Sequence, residues 1–366
     1  MSATVNKESP LPRYVQARRF LENLIHTQGI GPGDQLPSER ELSARFRVSQ
    51  MTMNRAIQDM VRDGILFREV GRGTFVMHQD AHAVHNGTIA LVSLFSPGYI
   101  KRDPYFSEIM RGVQSAAFET GWDLLLVHEA LDEGTSARLR SRADGFLFMI
   151  PLDEAIPALR RMVSERVPFV SVGSSWLDES FPALDTDNIM GAKLAVDHLV
   201  GLGHTRIGFV GAPENMSNSR DRHIGFQDAL AAHGIAYNPD WFIPCASATA
   251  VSRDEMDALL RTMDGPEAPT AFFAAGYELA VHTIEALQNR GLSIPDDVSV
   301  VGFDDKFSAA FLHPPLTTVA QPLDAMGRRA VERLEEAVRG GTPDSPIERL
   351  PTRLVVRRST AAPPRQ

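Results

Sequence analysis

The spacing of apolar residues along the chain changes near residue 88. Before it, apolar side chains recur every three or four positions in short segments, which is the period of an amphipathic helix. After it, short and nearly all-apolar runs such as TIALVSLF, GFLFMI and VSVVGF alternate with segments of helical period such as MGAKLAVDHLVGLG. Strands that are buried on both faces and separated by helices predict parallel α/β sheets. Because this pattern nearly restarts around Asp187, we expect two lobes.

The part before residue 80 fits three helices and a hairpin. The segment YVQARRFLENLIHTQG predicts a first helix with one apolar stripe, at Tyr14, Ala17, Leu21, Leu24 and Ile25. Ser38 stands three residues before Glu41, the spacing of a capping box, and starts a second helix that runs to about Phe46. Ser49 caps a third helix after a short turn. Two short helices joined by such a turn form a helix-turn-helix, which is a DNA-binding element.

The polar face of the third helix supplies candidate DNA contacts. The amides of Gln50 and Asn54 carry a donor and an acceptor side by side, which suits base edges in the major groove. Arginines nearby suit phosphates, and they are Arg40, Arg47 and Arg55. A small helical dimerisation domain is the alternative interpretation. It explains the apolar stripes, but it does not explain why amides and arginines gather on the first turns of one helix.

The run ILFREVGRGTFVM follows the third helix and predicts a hairpin around Gly71, Arg72 and Gly73. Its glycines let the backbone approach a phosphate or the minor groove while Arg72 reaches in. The letters GRG also occur in nucleotide-binding loops, but the full glycine spacing and the strand-then-helix context of such loops are missing. We therefore interpret the hairpin as the wing of a winged helix-turn-helix.

Residues 11–77 resemble the winged helix-turn-helix of the GntR family through LPSERELS, VSQMTMNRAI, the glycine before the hairpin and GRGTFV. The resemblance implies that DNA is contacted by Arg40, Ser49, Gln50, Thr52, Asn54 and Gly73. Gln50 stands where arginine is usual, and Asn54 stands where many members have arginine. The operator sequence therefore does not carry over from the family.

In the α/β part, the polar residues that follow the strands are the candidates for a ligand site. Ligands of parallel sheets bind at the carboxyl ends of the strands, and between lobes they bind in the cleft. The candidates are Ser96, Tyr105, Ser174, Trp176, Asp187, Asn188, Arg220, Asp304 and Asp305. Charged groups that bond hydroxyls, with rings that cover an apolar sugar face, suit a polyhydroxylated ligand. Asp and Asn after a strand are also explained as helix caps or turn formers.

Residues 88–360 closely resemble the effector domain of the LacI family, which is related to periplasmic sugar-binding proteins. The resemblance is carried by DTDNIMGAKLAVDHLVGLGHTRIGFVGAP, SRDRHIGFQDALAAHGI, VSVVGFDD, HPPLTTVAQP and LPTRLVVRRST. It implies a periplasmic-binding-protein-like (type I) fold of two lobes, joined by crossovers near residues 186, 318 and 345, with a sugar or similar metabolite in the cleft. It assigns ligand contacts to Tyr105, Phe106, Arg220, Asp304 and Gln321.

The predicted pocket departs from the family pattern. Gly276 and Tyr277 replace the usual Asn-Asp pair, which removes a ligand-contacting amide and offers the Tyr277 ring, and Gly173 replaces a frequent aspartate. The LacI family's own DNA-binding head and hinge helix are also missing, and the GntR-type head stands in their place. This combination resembles the arabinose-responsive repressor subgroup, but the altered pocket does not identify arabinose as the ligand.

Composition narrows the remaining functions. The net charge of -9 is unevenly spread, since residues 1–80 hold eleven basic and nine acidic residues and the remainder holds 26 basic and 37 acidic ones. Only the N-terminal part can therefore approach DNA. Cys245 is the single cysteine, the histidines lack metal-ligand spacing, and the motifs HExxH, GxSxG and GxxxxGK do not occur. We expect a cytoplasmic protein with no membrane segment, no metal, no cofactor and no enzymatic activity.

These observations predict a ligand-controlled transcription factor: a repressor that binds double-stranded operator DNA as a homodimer and is released by a small sugar-like effector. A ligand that acts as corepressor fits equally, and a sensor module without ligand-regulated DNA binding is the competing class. The expected domains are a winged helix-turn-helix at 1–77, a linker at 78–87 and an effector-binding and dimerisation domain at 88–360, with a first lobe at about 88–186 and 319–345 and a second at about 187–318 and 346–360.

Overall fold

The computed structural model describes residues 12–28, 30–31, 33–62, 65–69, 72–76, 87–93, 104–128, 142–176, 180–248, 251–340 and 346–364. The chain divides into two compact units, Met1–Asn86 and Gly87–Gln366. Apart from Gly87, the expected linker at 78–87 lies outside the described residues, and so does Ser96.

Among the described residues, the first unit contains three helices and a two-stranded hairpin. Its elements are α1 (Arg13–Gln28), α2 (Glu39–Phe46), α3 (Gln50–Arg62), β1 (Leu66–Glu69) and β2 (Gly73–Val76). Ser38 begins α2 with the expected capping box, because its hydroxyl accepts a hydrogen bond from the Glu41 N–H and the Glu41 carboxylate accepts one from the Ser38 N–H. Arg47 ends α2 in the left-handed region, at φ 53°, and turns the chain towards α3.

The apolar stripes of the three helices meet in one core, as their spacing predicts. Its buried members are Ala17, Leu21, Leu24, Leu36, Leu42, Phe46, Met53, Ala56, Ile57, Met60, Leu66 and Val76. Strand β1 pairs antiparallel with β2, and Gln35 adds an antiparallel bridge to Phe75. The unit is a winged helix-turn-helix, which confirms the fold expected for the head.

The second unit contains two six-stranded sheets. In chain order its strands are β3 (Thr88–Ser93), β4 (Asp123–Val127), β5 (Gly145–Met149), β6 (Phe169–Val172), β7 (Ala183–Thr186), β8 (Ile207–Gly211), β9 (Phe242–Pro244), β10 (Ala271–Ala274), β11 (Ser299–Phe303), β12 (Thr317–Ala320), β13 (Ile347–Leu350) and β14 (Arg353–Val355). Its helices are α4 (Pro104–Thr120), α5 (Ile156–Ser164), α6 (Asn188–Gly201), α7 (Ser217–Ala232), α8 (Arg253–Thr262), α9 (Tyr277–Asn289) and α10 (Leu323–Val338).

The two sheets form the two expected lobes. The first sheet has the strand order β13-β7-β6-β5-β3-β4, and all its described pairs are parallel. The second has the order β14-β12-β11-β10-β8-β9, in which β14 pairs antiparallel with β12 and the other described pairs are parallel. The buried apolar runs of the sequence are the central strands of these sheets, which confirms the predicted α/β class with parallel sheets.

The chain crosses between the lobes after β7, after β12 and after β13. The first crossover lies where the sequence placed it, near residue 186, and the second follows Ala320 rather than residue 318. The third needs a larger correction. Residues 347–350 form an edge strand of the first lobe, with Ile347 opposite Ala183, and therefore do not belong to the second lobe as expected from residue 346. This strand reads IERL, and its charged residues hide it from a search for apolar runs.

Helices α4 and α10 lie very close to each other, because each carries a glycine where the two helices touch. A Cβ atom placed on Gly112 would lie 2.1 Å from the carbonyl oxygen of Asp324, and one placed on Gly327 would lie 2.1 Å from the carbonyl oxygen of Ile109. This contact holds α10, which follows the second crossover, on the first lobe. The first turn of α4, which carries Tyr105 and Phe106, is thereby fixed beside the cleft between the lobes.

Candidate functional site

A cavity of about 620 Å³, counted with its open mouth, lies between the two lobes of the second unit. The first lobe contributes residues at the start of α4 and after β5. The second lobe contributes the starts of α7 and α9 and the segment after β11. The lining residues are Tyr105, Phe106, Ile150, Ala212, Met216, Asn218, Ser219, Arg222, Ala248, Ala275, Gly276, Tyr277, Glu278, Asp304 and Lys306. The cavity is therefore at the carboxyl ends of the strands, as expected for parallel sheets.

Arg222 is a buried cation on the wall of this cavity. Its guanidinium lies 3.7 Å from the centroid of the Phe303 ring, its Nε donates to Asn188 Oδ1 at 2.9 Å, and its Nη1 donates to the Ala275 carbonyl at 2.8 Å. The ring and the two acceptors hold the planar group in one orientation. Nη2 lies 3.9 Å from the carboxylate of Asp304, so a cation and an anion stand side by side on the wall.

Asp304 and Gln321 link the cavity to the crossovers. Asp304 follows β11 in the left-handed region at φ 72°, and its carboxylate accepts a hydrogen bond from the Gln321 side-chain amide. The Gln321 carbonyl in turn accepts from the Thr186 hydroxyl at 2.6 Å, at the end of β7. The neighbouring Asp305 instead pairs with Arg357 at 2.7 Å. The two adjacent carboxylates thus have different partners, although both line a smaller neighbouring cavity.

A second pair of charges lies on the cavity wall beside Gly276 and Tyr277, the two residues that replace the family's usual Asn-Asp pair. Lys306 Nζ lies 3.2 Å from Glu278 Oε1 and 4.9 Å from the centroid of the Tyr277 ring. Together with Arg222 and Asp304, the cavity wall carries two basic and two acidic side chains. The charges balance, so the wall offers many hydrogen-bonding groups without a net charge.

Gly173 shows why the frequent aspartate is absent from this pocket. A Cβ atom at Gly173 would lie 2.6 Å from the Tyr105 hydroxyl, and the residue has φ 78°. The Tyr105 ring therefore occupies the space that a side chain at residue 173 would need.

Four of the residues that the sequence assigned to the ligand line this cavity, and one lines an adjoining space. Tyr105, Phe106, Tyr277 and Asp304 are on the main wall. Gln321 lines a smaller neighbouring cavity together with Tyr105 and Asp304.

The remaining assigned residues, Trp176, Asp187 and Arg220, do not line the described cavity. Asp187 is the N-cap of α6, because its carboxylate accepts from the Met190 N–H at 2.9 Å. Trp176 is buried against Phe181, with ring centroids 5.8 Å apart, and its indole N–H donates to Asp153. Asp187 thus has the capping role that polar residues after strands often have.

The arginine assignment needs a correction of two residues. The segment SRDRHIGF contains Arg220 and Arg222 on the same helix, α7, and the family resemblance assigns the ligand contact to the first of them. Residues two apart in an α-helix point about 200° away from each other. Arg222 faces the cavity, whereas Arg220 forms an ion pair with Asp153 of the first lobe at 3.3 Å. Sequence position alone did not show which of the two faces inward.

Behind the cavity lie two buried carboxyl groups that the sequence did not single out. Burial raises the pKa of Asp185 to about 7, although its carboxylate accepts from the Thr186 N–H at 2.7 Å and from the Ser175 hydroxyl at 3.3 Å. Burial also raises the pKa of Asp221. The Asp185 carboxylate bonds the Asn188 amide that in turn holds Arg222. This network connects β7 to the cavity arginine.

In the first unit, the start of α3 presents exposed side chains. Gln50 is exposed, as is Arg40 on α2. Met51 is 84% exposed, although it is a large apolar residue. Ser49 caps the helix by accepting from the Thr52 N–H at 3.2 Å, and the two hydroxyls lie 2.8 Å apart. Met51 has no polar group that would mark it in the sequence as a DNA contact, and its exposure is the signal that marks it in the structure.

The other predicted DNA contacts have partners within the head. The Asn54 amide donates to the Glu39 carboxylate at 3.0 Å, and Arg68 binds the same carboxylate. The Arg55 guanidinium lies 4.2 Å from the centroid of the Tyr14 ring. In the wing, Arg72 pairs with Glu69. Gly73 has φ 132°, next to the Gln35 side chain, which donates to the Arg72 carbonyl at 2.5 Å.

The described residues show neither a membrane span nor a metal site. No helix among them is long and apolar enough to cross a bilayer. The same part of the chain contains no group of three or more His, Cys, Asp or Glu side chains able to hold a metal ion. Cys245 is buried, and burial raises the pKa of its thiol to about 12.

Two family profiles match the chain: residues 13–76 match bacterial regulatory proteins of the gntR family, and residues 196–360 match the periplasmic binding protein-like domain. The arabinose metabolism transcriptional repressor of Geobacillus stearothermophilus is 29% identical over 345 residues, with 91% of this chain and 93% of the relative covered. The repressor PurR of Haemophilus influenzae (strain PittEE) is 30% identical over 241 residues, with 64% and 70% covered.

A solved structure extends the likeness to three dimensions. A complex of the transcriptional regulator CelR with cellobiose superposes with a TM-score of 0.68 at 26% identity, with 85% of this chain and 90% of that chain covered. A winged helix-turn-helix joined in one chain to a two-lobed ligand-binding domain defines a ligand-responsive transcriptional regulator. The chain belongs to the LacI family of such regulators and carries a GntR-type head.

Proposed function

We propose that this protein is a repressor that holds double-stranded operator DNA through its head and releases it when a sugar or related metabolite fills the cleft. The carrying observation is that residues of both lobes line one cavity, Tyr105 and Phe106 from the first and Arg222 and Asp304 from the second. A ligand that contacts both lobes stabilises one lobe arrangement over another, and DNA affinity follows that preference. A ligand that acts as corepressor uses the same cavity, and the sign of its effect on DNA binding decides between the two.

A neutral polyhydroxylated ligand fits the chemistry of the wall. Arg222 and Lys306 are balanced by Asp304 and Glu278, so no net charge requires a charged ligand. Paired charges donate and accept hydrogen bonds to hydroxyl groups, and the Tyr105, Phe106 and Tyr277 rings offer apolar faces to a sugar ring. The relative CelR was solved with cellobiose, which supports this ligand class. We propose Tyr105, Phe106, Arg222, Tyr277, Asp304 and Gln321 as the ligand-binding set, and we propose that the protein has no enzymatic activity.

In the head, we assign base reading first to Gln50. Its amide is exposed at the start of α3, where a recognition helix meets the major groove. Asn54 reads bases less directly, because its N–H groups donate to Glu39. Met51, exposed beside Gln50, offers an apolar contact to a thymine methyl group. Phosphate contacts fall to Arg40, the Ser49–Thr52 turn, Arg55, Arg72 and the Gly73 backbone.

We further propose that the protein acts as a homodimer formed by the effector domains. Phe307 and Phe311 are exposed on the second lobe, with ring centroids 4.9 Å apart. A pair of large exposed rings marks an interaction surface better than scattered apolar residues do. Replacing both with Ser is expected to give a monomer with the parent's helix content in sedimentation and circular dichroism. A dimer that persists in this variant would place the interface elsewhere.

The test of the function has two parts. The full chain is melted with a panel of pentoses, hexoses and disaccharides, including L-arabinose, D-ribose and cellobiose, since a bound ligand raises the melting temperature. Duplexes selected from a random-sequence pool are then titrated with the chain at two salt concentrations, with and without the stabilising sugar. We expect salt-dependent binding that the sugar weakens. DNA binding that is unaffected by salt and by every stabilising sugar would contradict the proposal and favour a sensor module without ligand-regulated DNA binding.

A further inference from the structure

A seam of polar contacts joins the lobes beside the cavity. On the first lobe it includes the 3₁₀ turn Asp153–Ala155 and the segment 174–176, and on the second it includes residues 215–220. Asp153 pairs with Arg220 at 3.3 Å, and its N–H donates to the Asn215 carbonyl at 3.4 Å. The Ser175 N–H donates to the Ser217 hydroxyl at 3.1 Å. The seam thus joins the two lobes at the start of α7.

The same short segment also lines the cavity. Met216, Asn218, Ser219 and Arg222 are on the cavity wall, whereas Asn215, Ser217 and Arg220 contact the first lobe. Ser217 and Arg220 are three residues apart on α7, the spacing that puts two side chains on one helix face. The start of α7 therefore has one face on the ligand site and another on the opposite lobe. A displacement at the seam moves the polar wall of the cavity with it.

Asp153 is the junction of the seam, because both of its carboxylate oxygens have partners. One oxygen pairs with Arg220, and the other accepts from the Trp176 indole N–H at 2.7 Å. Trp176 is buried, with Phe181 packed edge-on against its ring, so the indole holds the carboxylate in place. The ion pair itself is about one-third exposed, at 36% for Arg220 and 34% for Asp153. It is accessible enough to open and close.

We propose that Asp153 and Arg220 are positioning residues, forming an interlobe latch that holds Asn218 and Ser219 against the cavity. Neither residue touches the ligand. Trp176 orients the Asp153 carboxylate. Arg220 and Trp176, which the sequence assigned to the ligand, therefore act on the ligand indirectly, through the latch. Opening the latch separates the lobes on this side. The effect of the latch on sugar affinity rests on the proposed function, whereas the lobe separation does not.

The test measures the distance between the lobes without any ligand. Nitroxide labels are attached to Ser164→Cys on α5 and Asp257→Cys on α8, both exposed, in the full chain. The native Cys245 is buried and stays unlabelled. Dilution with unlabelled chain removes distances between subunits, and double electron–electron resonance gives the interlobe distribution. The variants are Asp153→Asn, which keeps an acceptor for the Trp176 N–H, Arg220→Gln and the combination of the two.

We expect each single variant to broaden the distribution and shift it to longer distances, and the double variant to add nothing further. Arg220→Lys, which keeps the charge, should resemble the parent. The control is Arg111→Gln, which removes a pair with Asp324 at 3.0 Å inside the first lobe and leaves the distribution unchanged. Distributions of Asp153→Asn and Arg220→Gln that overlay the parent's, or shifts that add independently, would overturn the latch.

Sugar affinity is the second readout. The sugar that stabilises the parent in the melting panel is expected to bind Arg220→Gln roughly two- to fivefold more weakly, the range for a partly exposed ion pair. An unchanged affinity with separated lobes would show that the latch does not position the cavity wall, and would overturn that part of the proposal. If no sugar binds the parent, the proposed function fails, while the distance measurement still decides the latch.

Discussion

The guanidinium of Arg222 stacks on the ring of Phe303, with its carbon 3.7 Å from the ring centroid. Phe303 ends β11, directly before Asp304, so the strand that supplies the cavity carboxylate also supports the cavity arginine. The Asn188 amide and the Ala275 carbonyl accept from the same arginine. The cation is thus oriented before any ligand arrives, and little ordering remains to be done on binding.

Arg222→Gln is therefore expected to remove most of the sugar affinity. A hydrogen bond to a charged group contributes about 1.5–3 kcal/mol, which corresponds to a loss of roughly 10- to 150-fold. The sugar-induced rise in melting temperature should disappear, while binding to selected duplexes remains. The variant should also melt somewhat lower without sugar, because Asn188 and Ala275 lose a buried donor.

The matched control is Arg220→Gln, two residues away on the same helix. It removes an arginine from the seam rather than from the cavity wall, so most of the sugar-induced stabilisation should remain. Equal losses in both variants would contradict the placement of Arg222 as the ligand-binding arginine. Isothermal titration with the sugar measures both.

Gln50→Ala is expected to relax the choice of bases, whereas Arg40→Ala weakens binding to every sequence. A well-placed amide contact discriminates between bases by about 1–3 kcal/mol. A phosphate contact carries no sequence preference, and its loss lowers the salt dependence of binding by about one counterion. Titrating each variant against the selected duplex and its single-base changes measures the difference. A uniform loss of affinity in Gln50→Ala would remove Gln50 from base reading.

Gly112→Ala is expected to destabilise the second unit. The new methyl group would lie 2.1 Å from the Asp324 carbonyl oxygen, so helices α4 and α10 must move apart. Overpacking of this kind costs about 1–3 kcal/mol of unfolding free energy. Gly201→Ala is the matched control, because it is also helical and a Cβ there meets nothing within 4 Å. Chemical denaturation should separate the two variants, and equal stabilities would contradict the close helix contact.

Asp185→Asn is expected to change the pH dependence of stability. The pKa of Asp185 is raised by burial from 3.8 to about 7, so the folded state holds the proton more tightly than the unfolded state. The contribution of protonated Asp185 to the stability of the folded state is therefore present in full below about pH 4 and is lost as the pH rises through about 7. Asn keeps the acceptor for the Thr186 N–H and cannot ionise. The variant should therefore gain stability over the parent as the pH rises from about 4 to about 7, by roughly 3 °C or more in melting temperature.

That gain is measured by thermal melts of both chains across the pH range in one buffer series. The groups near Asp185 are Asp221, which raises its pKa, and Arg222, which lowers it. Because Asp221 is also buried and has a raised pKa, some pH dependence should persist in the variant. Parallel curves for the parent and Asp185→Asn would exclude Asp185 as the titrating group.

Much of the fold follows from local signals in the sequence. The Ser38–Glu41 capping box, the apolar stripe of α3 and the glycine-flanked wing each depend on residues close together in the chain, so the winged helix-turn-helix is readable without a structure. The same holds for the central strands, whose apolar runs reflect burial on both faces. The edge strand β13 is not readable in this way, because it is half-buried and charged and owes its place to pairing with β7.

The site was only partly predictable. Tyr105, Phe106 and Asp304 line the cavity as the family resemblance implies, since each follows or begins an element that ends at the cleft. Tyr277, which departs from the family pattern, lines it too. Arg220 and Trp176 were assigned to the ligand but lie in the seam, and Asn54 was assigned to bases but donates to Glu39. In each case the side chain binds a partner on another structural element, which the local sequence pattern does not show.

By itself, the sequence determined the class of each domain and the set of polar residues near the cleft, because periodicity and capping act over a few residues. Only the tertiary structure decided which of Arg220 and Arg222 faces the cavity, which carboxylate of the Asp304–Asp305 pair serves it, and that Asp153 ties the lobes together. Those choices depend on helix rotation and on contacts between segments far apart in the chain. Packing sets both, and the order of residues along the chain does not show them.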